Sequence, residues 1–246
     1  MMDSHQFETR LAKDEADIRA AQRLRYEVFV EEMGASASEA DHAERLERDS
    51  FDPYFDHLLL LHEGRVVGAY RLMRSGMAAK GIGFYGASEF DLEKLKNQPA
   101  LELGRSCVAK AYRGGVGMHL LWDGLGNYVT RHQIQLLFGV ASFAGTEIAP
   151  LKQALTFLHH KYLAPEDLRV RSKTYVSLDQ MEWEAVDQRA AVKQIPSLIR
   201  AYLKLGGFVG DGAFVDKGFN TIDVCLIMDT ARMVQRYKNF YGRERD

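Results

Sequence analysis

Cysteine is nearly absent from this chain. Cys107 and Cys225 are the only two, and each falls in an apolar, strand-like run where a small buried thiol is an ordinary occupant. A reducing, cytoplasmic compartment fits that usage best. Long apolar runs are missing as well. No window reaches about 18 consecutive apolar residues, and the opening MMDSHQFETR lacks the apolar core of a secretory signal, so neither a membrane span nor export is expected. One-sided charge is also lacking: 32 basic residues stand against 34 acidic ones, for a formal charge of -2. Nucleic acid is therefore not an expected partner, and any basic docking surface has to be a local patch. No internal repeat and no low-complexity tract occurs. What is present is apolar bulk, 46% of 246 residues, enough to fill a substantial core.

Against that bulk, charged residues stand where the pattern asks for apolar ones. Arg25 lies in RYEVFVEEMG, Asp49 and Asp52 in RDSFDPYF, and Glu102 and Arg105 in LELGRSCV. Ile18, Ala21, Arg25 and Phe29 recur at helical spacing, which sets Arg25 in the buried stripe, where an arginine needs carboxylate company. A pocket lined with both signs of charge suits a zwitterion such as a free amino acid.

The element pattern begins with a strand near His5 to Leu11 and a helix from the Asp14 cap to about Met33, with Asp17 in the acidic place three residues after the cap. Residues 34 to 54 read as loop. HLLLLHEGRVVGAYRL reads as a hairpin around Glu63-Gly64, and Leu101 to Val108 as a third strand. YRGGVGMHLLWDGL opens a helix reaching about Arg131, and QLLFGVAS is a strand buried on both faces. Pro150 starts a helix through His160, and residues 163 to 195 form a charged connection, an insertion or a lid. A helix from Pro196 to Leu205 stops at Gly206-Gly207, TIDVCLIM is a last strand, and a helix rich in Arg and Tyr ends the chain.

Taken together, RYEVFVEEMG (25–34), DSFD (49–52), ELGRSCV (102–108), YRGGVGMHLLW (112–122), LFGVASF (137–143) and AYLKLGGFVGDGAFVD (201–216) resemble the acyl carrier protein-dependent branch of the GNAT acyltransferases. The likeness, over nearly the whole chain, is to the L-ornithine Nα-acyltransferases that make lyso-ornithine lipid. The first half is also similar to the acyl-homoserine lactone synthases, in the first-helix arginine, the two loop aspartates, Arg71, and the Glu and Arg of the central strand. Both families move a fatty acyl group from a carrier protein onto an amino-acid amine. The resemblance implies an α/β fold, GNAT-like, with a mixed, mainly antiparallel central sheet, flanking helices and a C-terminal elaboration. It implies a single domain over 1–246, with the acyltransferase core in 1–145 and an elaboration in 146–246 that completes the sheet.

Aminolysis of a thioester needs a base for the amine's surplus proton and donors for the oxyanion. Glu102 is the candidate base, directly or through water. Strict alternation sets Glu102 and Arg105 on opposite faces, and a bulge at Gly104 would bring both to one face and aim backbone amides at the acyl carbonyl. Ser106 is the alternative oxyanion donor. Asp49 and Asp52 can converge on an ammonium group, while Arg25, Arg71 and Arg105 offer planar forks for the acceptor carboxylate, with Phe29 beside them on the helix stripe. A helix cap plus a solvated charge accounts equally well for the aspartate spacing.

On the donor side the resemblance points to Val108, Arg113, Gly115, Gly117 and Phe143. Acetyl-CoA users of this fold usually show Gln or Arg, two residues, Gly, one residue, then Gly or Ala. Here Gly115 and Gly117 fit, Tyr112 holds the first position, Arg113 is displaced by one, and Lys110 stands where many members carry Pro. A donor carrying phosphopantetheine on acyl carrier protein has no nucleotide diphosphate and suits a looser cradle, so no resident cofactor is expected. An acidic carrier calls for a basic patch, with Lys110, Arg113, Arg131 and Lys152 as contributors. Phe84, Met118, Leu121, Phe138 and Phe143 are candidates for an acyl channel, though each also suits ordinary core. No metal site is expected, because His159 and His160 diverge on a helix, and Cys107 lacks the placed histidine of a nucleophile. Glutamine or lysine as acceptor, a signal synthase using S-adenosylmethionine, and a catalytically silent carrier-binding module remain alternatives. The amphiphilic product implied by the resemblance gives the basic end, Arg232 to Arg245, a place at the inner leaflet of the membrane, although a solvated terminal helix is the plainer account of the same residues.

Overall fold

The computed structural model describes residues 6–113 and 117–232. Along the chain run β1 (Phe7–Leu11), α1 (Glu15–Arg25), α2 (Glu39–Glu44), β2 (Asp56–His62), β3 (Arg65–Arg74), α3 (Ser75–Lys80), β4 (Phe90–Asp91) and β5 (Ala100–Val108). They are followed by α4 (Gly117–Arg131), β6 (Leu136–Ala144), α5 (Lys152–Tyr162), β7 (Arg171–Ser172), α6 (Gln188–Gln194), α7 (Ser197–Lys204), β8 (Phe208–Val209), β9 (Phe214–Asp216) and β10 (Thr221–Asp229). The chain divides into two compact units, residues 1–83 with 102–133, and residues 84–101 with 134–246. That division falls at residue 133 rather than 145, and it groups 84–101 with the later segment.

In the first unit the strand order is β1, β2, β3, β5. β1 and β2 pair antiparallel, as do β2 and β3. Glu63 and Gly64, both at positive φ (50° and 77°), make the tight turn between β2 and β3 whose twist suits a hairpin. The apolar run Leu58–Leu61 is explained by cover on both faces. Leu59 and Leu61 pack with Ala21, Leu24 and Val28 of the first helix, while a Cβ added at Gly117 or Gly124 of α4 would meet Leu60 or Leu58. In the second unit β6, β10 and β8 are neighbours in that order, with β9 also on β10, all antiparallel. Phe90, Leu136, Phe138, Val170, Cys225 and Ile227 are among the residues of its core. This is the expected GNAT-like α/β architecture of a mainly antiparallel sheet with flanking helices.

Asp14 caps α1 as expected, its carboxylate accepting from the Asp17 amide. Helical backbone also reaches the Met33 region, but its last part, Tyr26–Glu32, is wound as a π-helix. The stretch read as loop holds α2, whose cap is Ser38. The charged connection 163–195 holds α6, capped by Asp187 accepting from the Arg189 and Ala190 amides. Both helices are under eight residues, too short to show a periodic stripe. Among the described residues no helix is long and apolar enough to cross a membrane. The basic, Tyr-rich end lies outside the described residues beyond Arg232.

Candidate active site

Arg25 is the last residue of α1 and is fully buried. Its Nε donates to Glu47 Oε2 (2.5 Å), its Nη1 to Asp52 Oδ1 (2.7 Å), and its Nη2 to Asp52 Oδ2 (3.0 Å) and the Glu47 carbonyl (2.6 Å). Arg71, on β3, donates through Nη1 to Asp49 Oδ1 (2.7 Å) and Asp52 Oδ1 (2.8 Å), with its guanidinium 4.4 Å from the Phe55 ring centre. Arg105, on β5, reaches Glu47 Oε1 through Nε (3.0 Å) and Asp49 Oδ2 through Nη2 (3.4 Å). Three arginines thus meet three carboxylates in one network, and the formal charges cancel.

The acidic segment is held in place by its own backbone. Glu47 N–H bonds to the Gln22 carbonyl, Asp49 Oδ1 accepts from the Phe51 amide, and Asp52 opens a short 3-10 turn. Gln22 donates to Asp52 Oδ2 at 2.9 Å. His57 Nε2, facing the Asp52 carbonyl at 3.0 Å, is the donor there, and burial keeps its pKa below the usual histidine value. Burial also pushes the Asp52 carboxyl toward its neutral form, but the guanidiniums of Arg25 and Arg71 outweigh it and hold Asp52 well below the usual carboxylate range. Asp49 is lowered in the same way, with Arg71 and Arg105 overcoming its burial. Both aspartates are therefore ionised at neutral pH. The side chains of Asp49 and Arg105 keep 21% and 11% of their exposure, against 1% for Arg25 and Arg71, so those two give the network its outward face.

Of the sequence-expected residues, the structure brings Arg25, Asp49, Asp52, Arg71 and Arg105 together. Phe29, on the π-helical turn, packs against the apolar core of α1. Glu102 sits on β5 three residues before Arg105 and is 2% exposed. The backbone irregularity expected at Gly104 falls at Arg105, whose φ is +51°. That conformation costs a non-glycine residue roughly 1–2 kcal/mol, and here the ties to Glu47 and Asp49 hold it. Ser106 Oγ is buried with no hydrogen-bond partner among the described residues.

Sequence reasoning missed Glu47, which bridges Arg25 and Arg105. The signal was charge balance, since Arg25, Arg71 and Arg105 together demand a third carboxylate beyond Asp49 and Asp52.

Of the donor-side residues, Val108 is buried at the end of β5, and its carbonyl accepts from Arg113 Nε at 2.8 Å. Arg113 also pairs with Glu32 at 2.7 Å. Gly117 starts α4, where a Cβ would press on Leu60 and the Tyr112 carbonyl at 3.3 Å. Gly115 lies outside the described residues. Phe143 is buried in β6 opposite Ile222, within the second unit, where Phe84 and Phe138 meet edge to face. Leu121 is buried against Gly68 of β3. Lys110, Arg131 and Lys152 are exposed. Burial pushes the Cys107 thiol up to about 12, which leaves it inert as a nucleophile. His160 stacks on Trp183 and contacts Asp179. Within the second unit the carboxylates of Glu89, Asp216 and Asp223 cluster with oxygens no more than 4.8 Å apart.

A family model of the acetyltransferase (GNAT) domain matches residues 24–123, the stretch that holds the whole network. Over 96% of its length the chain is 52% identical to an L-ornithine N(alpha)-acyltransferase of Rhodobacter capsulatus, covering 95% of that relative. The chain belongs to the L-ornithine Nα-acyltransferases. The chain is also similar to L-ornithine N(alpha)-acyltransferases of Brucella abortus, at 42% identity over 96% of this chain and 89% of that one, and of Rhizobium meliloti, at 41% over 96% and 84%. At the level of fold, this acyltransferase chain is similar to FeeM, an N-acyl amino acid synthase from uncultured soil microbes (TM-score 0.54, 10% identity, 94% of each chain). It is likewise similar to the CoA-dependent acyl-homoserine lactone synthase BjaI (TM-score 0.51, 14% identity, 92% and 82%).

Proposed function

We propose that the protein transfers a fatty acyl group, 3-hydroxylated in the family's manner, from acyl carrier protein to the α-amine of L-ornithine, giving lyso-ornithine lipid. The observation that carries this reading is the 52% identity, over almost the full length of both chains, to a relative named for ornithine acylation. The donor brings its own phosphopantetheine, so the reaction needs no resident cofactor.

The charge network supplies a seat for the acceptor. Arg105 and Asp49 are its two accessible members, and their mutual contact, 3.4 Å, is the longest in the network. A zwitterion can enter between them, its carboxylate on the Arg105 fork and an ammonium on Asp49. Arg25, Arg71, Glu47 and Asp52 then act as positioning residues that hold this pair. Glu102 takes the surplus proton of the attacking amine, directly or through water. The C–N bond forms, the tetrahedral oxyanion is steadied by Ser106 and by the β5 backbone, the C–S bond breaks, and the proton passes to the departing thiolate.

Purified protein incubated with acyl-carrier thioester and labelled ornithine should release free carrier thiol and a labelled lyso-lipid. Glutamine, lysine and S-adenosylmethionine serve as competing acceptors in the same assay. No turnover with any of them overturns the reading. Glu102→Ala should lower the turnover number by about 100- to 10,000-fold, the usual worth of a placed acid–base group, with the protein still folded. Unchanged turnover would remove Glu102 from the chemistry.

A further inference from the structure

A glycine inside a strand has one of three physical reasons: a φ that other residues avoid, a neighbour too close to admit a Cβ, or room kept for something that is not part of the chain. Gly104, in the middle of β5, is not among the residues of positive φ. The left-handed position of this strand is taken by its neighbour Arg105, so the glycine does not sit where the backbone is strained. Nor does packing require it. Among the described residues a Cβ at Gly104 would have no atom within 4 Å, whereas one at Gly68 of β3 would lie 3.0 Å from Leu121 and one at Gly124 of α4 only 2.5 Å from Thr9. The third reason remains.

The location of that room matters. Glu102 and Gly104 are two apart on extended backbone and so present to the same face of the strand. Gly104, Arg105 and Ser106 form a partly exposed run inside a strand whose other residues are all buried. The unpartnered, buried hydroxyl of Ser106 lies two residues further on. Buried acid, empty space and unpaired hydroxyl therefore follow one another along β5.

We propose that Gly104 is a specificity-determining position: its missing side chain keeps open, beside Glu102, the space in which the acceptor amine meets the thioester. The proposal rests on the acyl-transfer reading above and adds to it where the reactants meet and which residue limits their bulk.

The test is the series Gly104→Ala, Gly104→Val and Gly104→Leu, assayed with acyl-carrier thioester and ornithine and melted in parallel. Because nothing clashes and a strand gains from a side chain, thermal midpoints should hold or rise along the series. Turnover should fall stepwise with side-chain volume, by about 100-fold or more at leucine, as expected when reacting groups are displaced by an ångström or so. Gly76→Leu, at an exposed position on α3 with equally open surroundings, is the control: its turnover should stay at the parent's value while its midpoint holds or rises. Retained turnover in a folded Gly104→Leu overturns the proposal, and so does a loss of activity that only follows a falling midpoint. An inert parent protein would instead overturn the acyl-transfer reading. The space would then be judged by thermal protection with S-octanoyl pantetheine and with ornithine, expected for the parent and absent for Gly104→Leu. Equal protection of both, or of neither, overturns the proposal.

Discussion

At the scale of single residues the site is a problem in burying charge. Arg25 is wholly enclosed, and an enclosed guanidinium is tolerable only because Glu47 and Asp52 occupy its fork. Asp52 is the hub, taking both Arg25 and Arg71. Its pKa in the folded protein is depressed, so the stability it contributes is complete above the ordinary carboxylate value of 3.8 and declines as the pH falls below that value, because the unfolded chain takes up the proton first. Asp52→Asn should therefore melt well below the parent at pH 7, since it leaves Arg25 short of a partner. The difference between the two proteins should narrow as the pH is lowered from 5 to 3. Calorimetric midpoints across that range check it, and a constant difference would mean that Asp52 is not ionised in the folded state.

At the scale of elements, the site is a meeting of α1, the acidic loop, β3 and β5, and the cover of α4 on β1 and β2 fixes the other face of the sheet. That cover depends on small residues. A valine at Gly124 would drive its Cβ into Thr9 and Leu58, at 2.5 and 3.3 Å, so Gly124→Val should lower the unfolding free energy by about 1–3 kcal/mol, read from urea denaturation. An unchanged urea midpoint would mean that α4 can lift from the sheet at no cost. The same elements show what the letters revealed. The hairpin, β5, α4, β6 and β10 were legible because their apolar periods are long and their turns carry glycine. Arg25, Asp49, Asp52 and Arg105 could be singled out as charges set in apolar surroundings, and Arg71 through the likeness to the acyl-homoserine lactone synthases. Glu47 could not, since it stands in an acidic and basic stretch with no period to interrupt. The π-helix after Arg25 was hidden for a related reason. Seven residues make fewer than two turns of such a helix, too few to establish a period of their own. The turn of Arg105 into the left-handed region was misplaced by one residue, because glycine attracts such an assignment and here the ion pairs, rather than intrinsic preference, decide.

At the scale of the whole molecule, a formal charge of -2 spread over 246 residues gives no long-range attraction for an acidic partner. Attraction to a carrier protein, the donor proposed above, must then come from a few exposed cations acting within a Debye length of about 10 Å at 0.1 M salt. Arg113 is poorly suited, because its charge is already met by Glu32. Lys110 is exposed in the short turn that follows β5. Lys110→Glu should raise KM for the acyl-carrier donor several-fold and leave kcat alone, the signature of a contact made equally before and during the chemistry. The increase should shrink in 0.5 M salt, where charges are screened beyond a few ångströms. With S-acyl pantetheine, which carries no acidic protein surface, the variant and the parent should not differ. A KM unmoved for the carrier donor at low salt would place the carrier's contact elsewhere, and a change in kcat with the small donor would mean that Lys110 acts on the thioester itself.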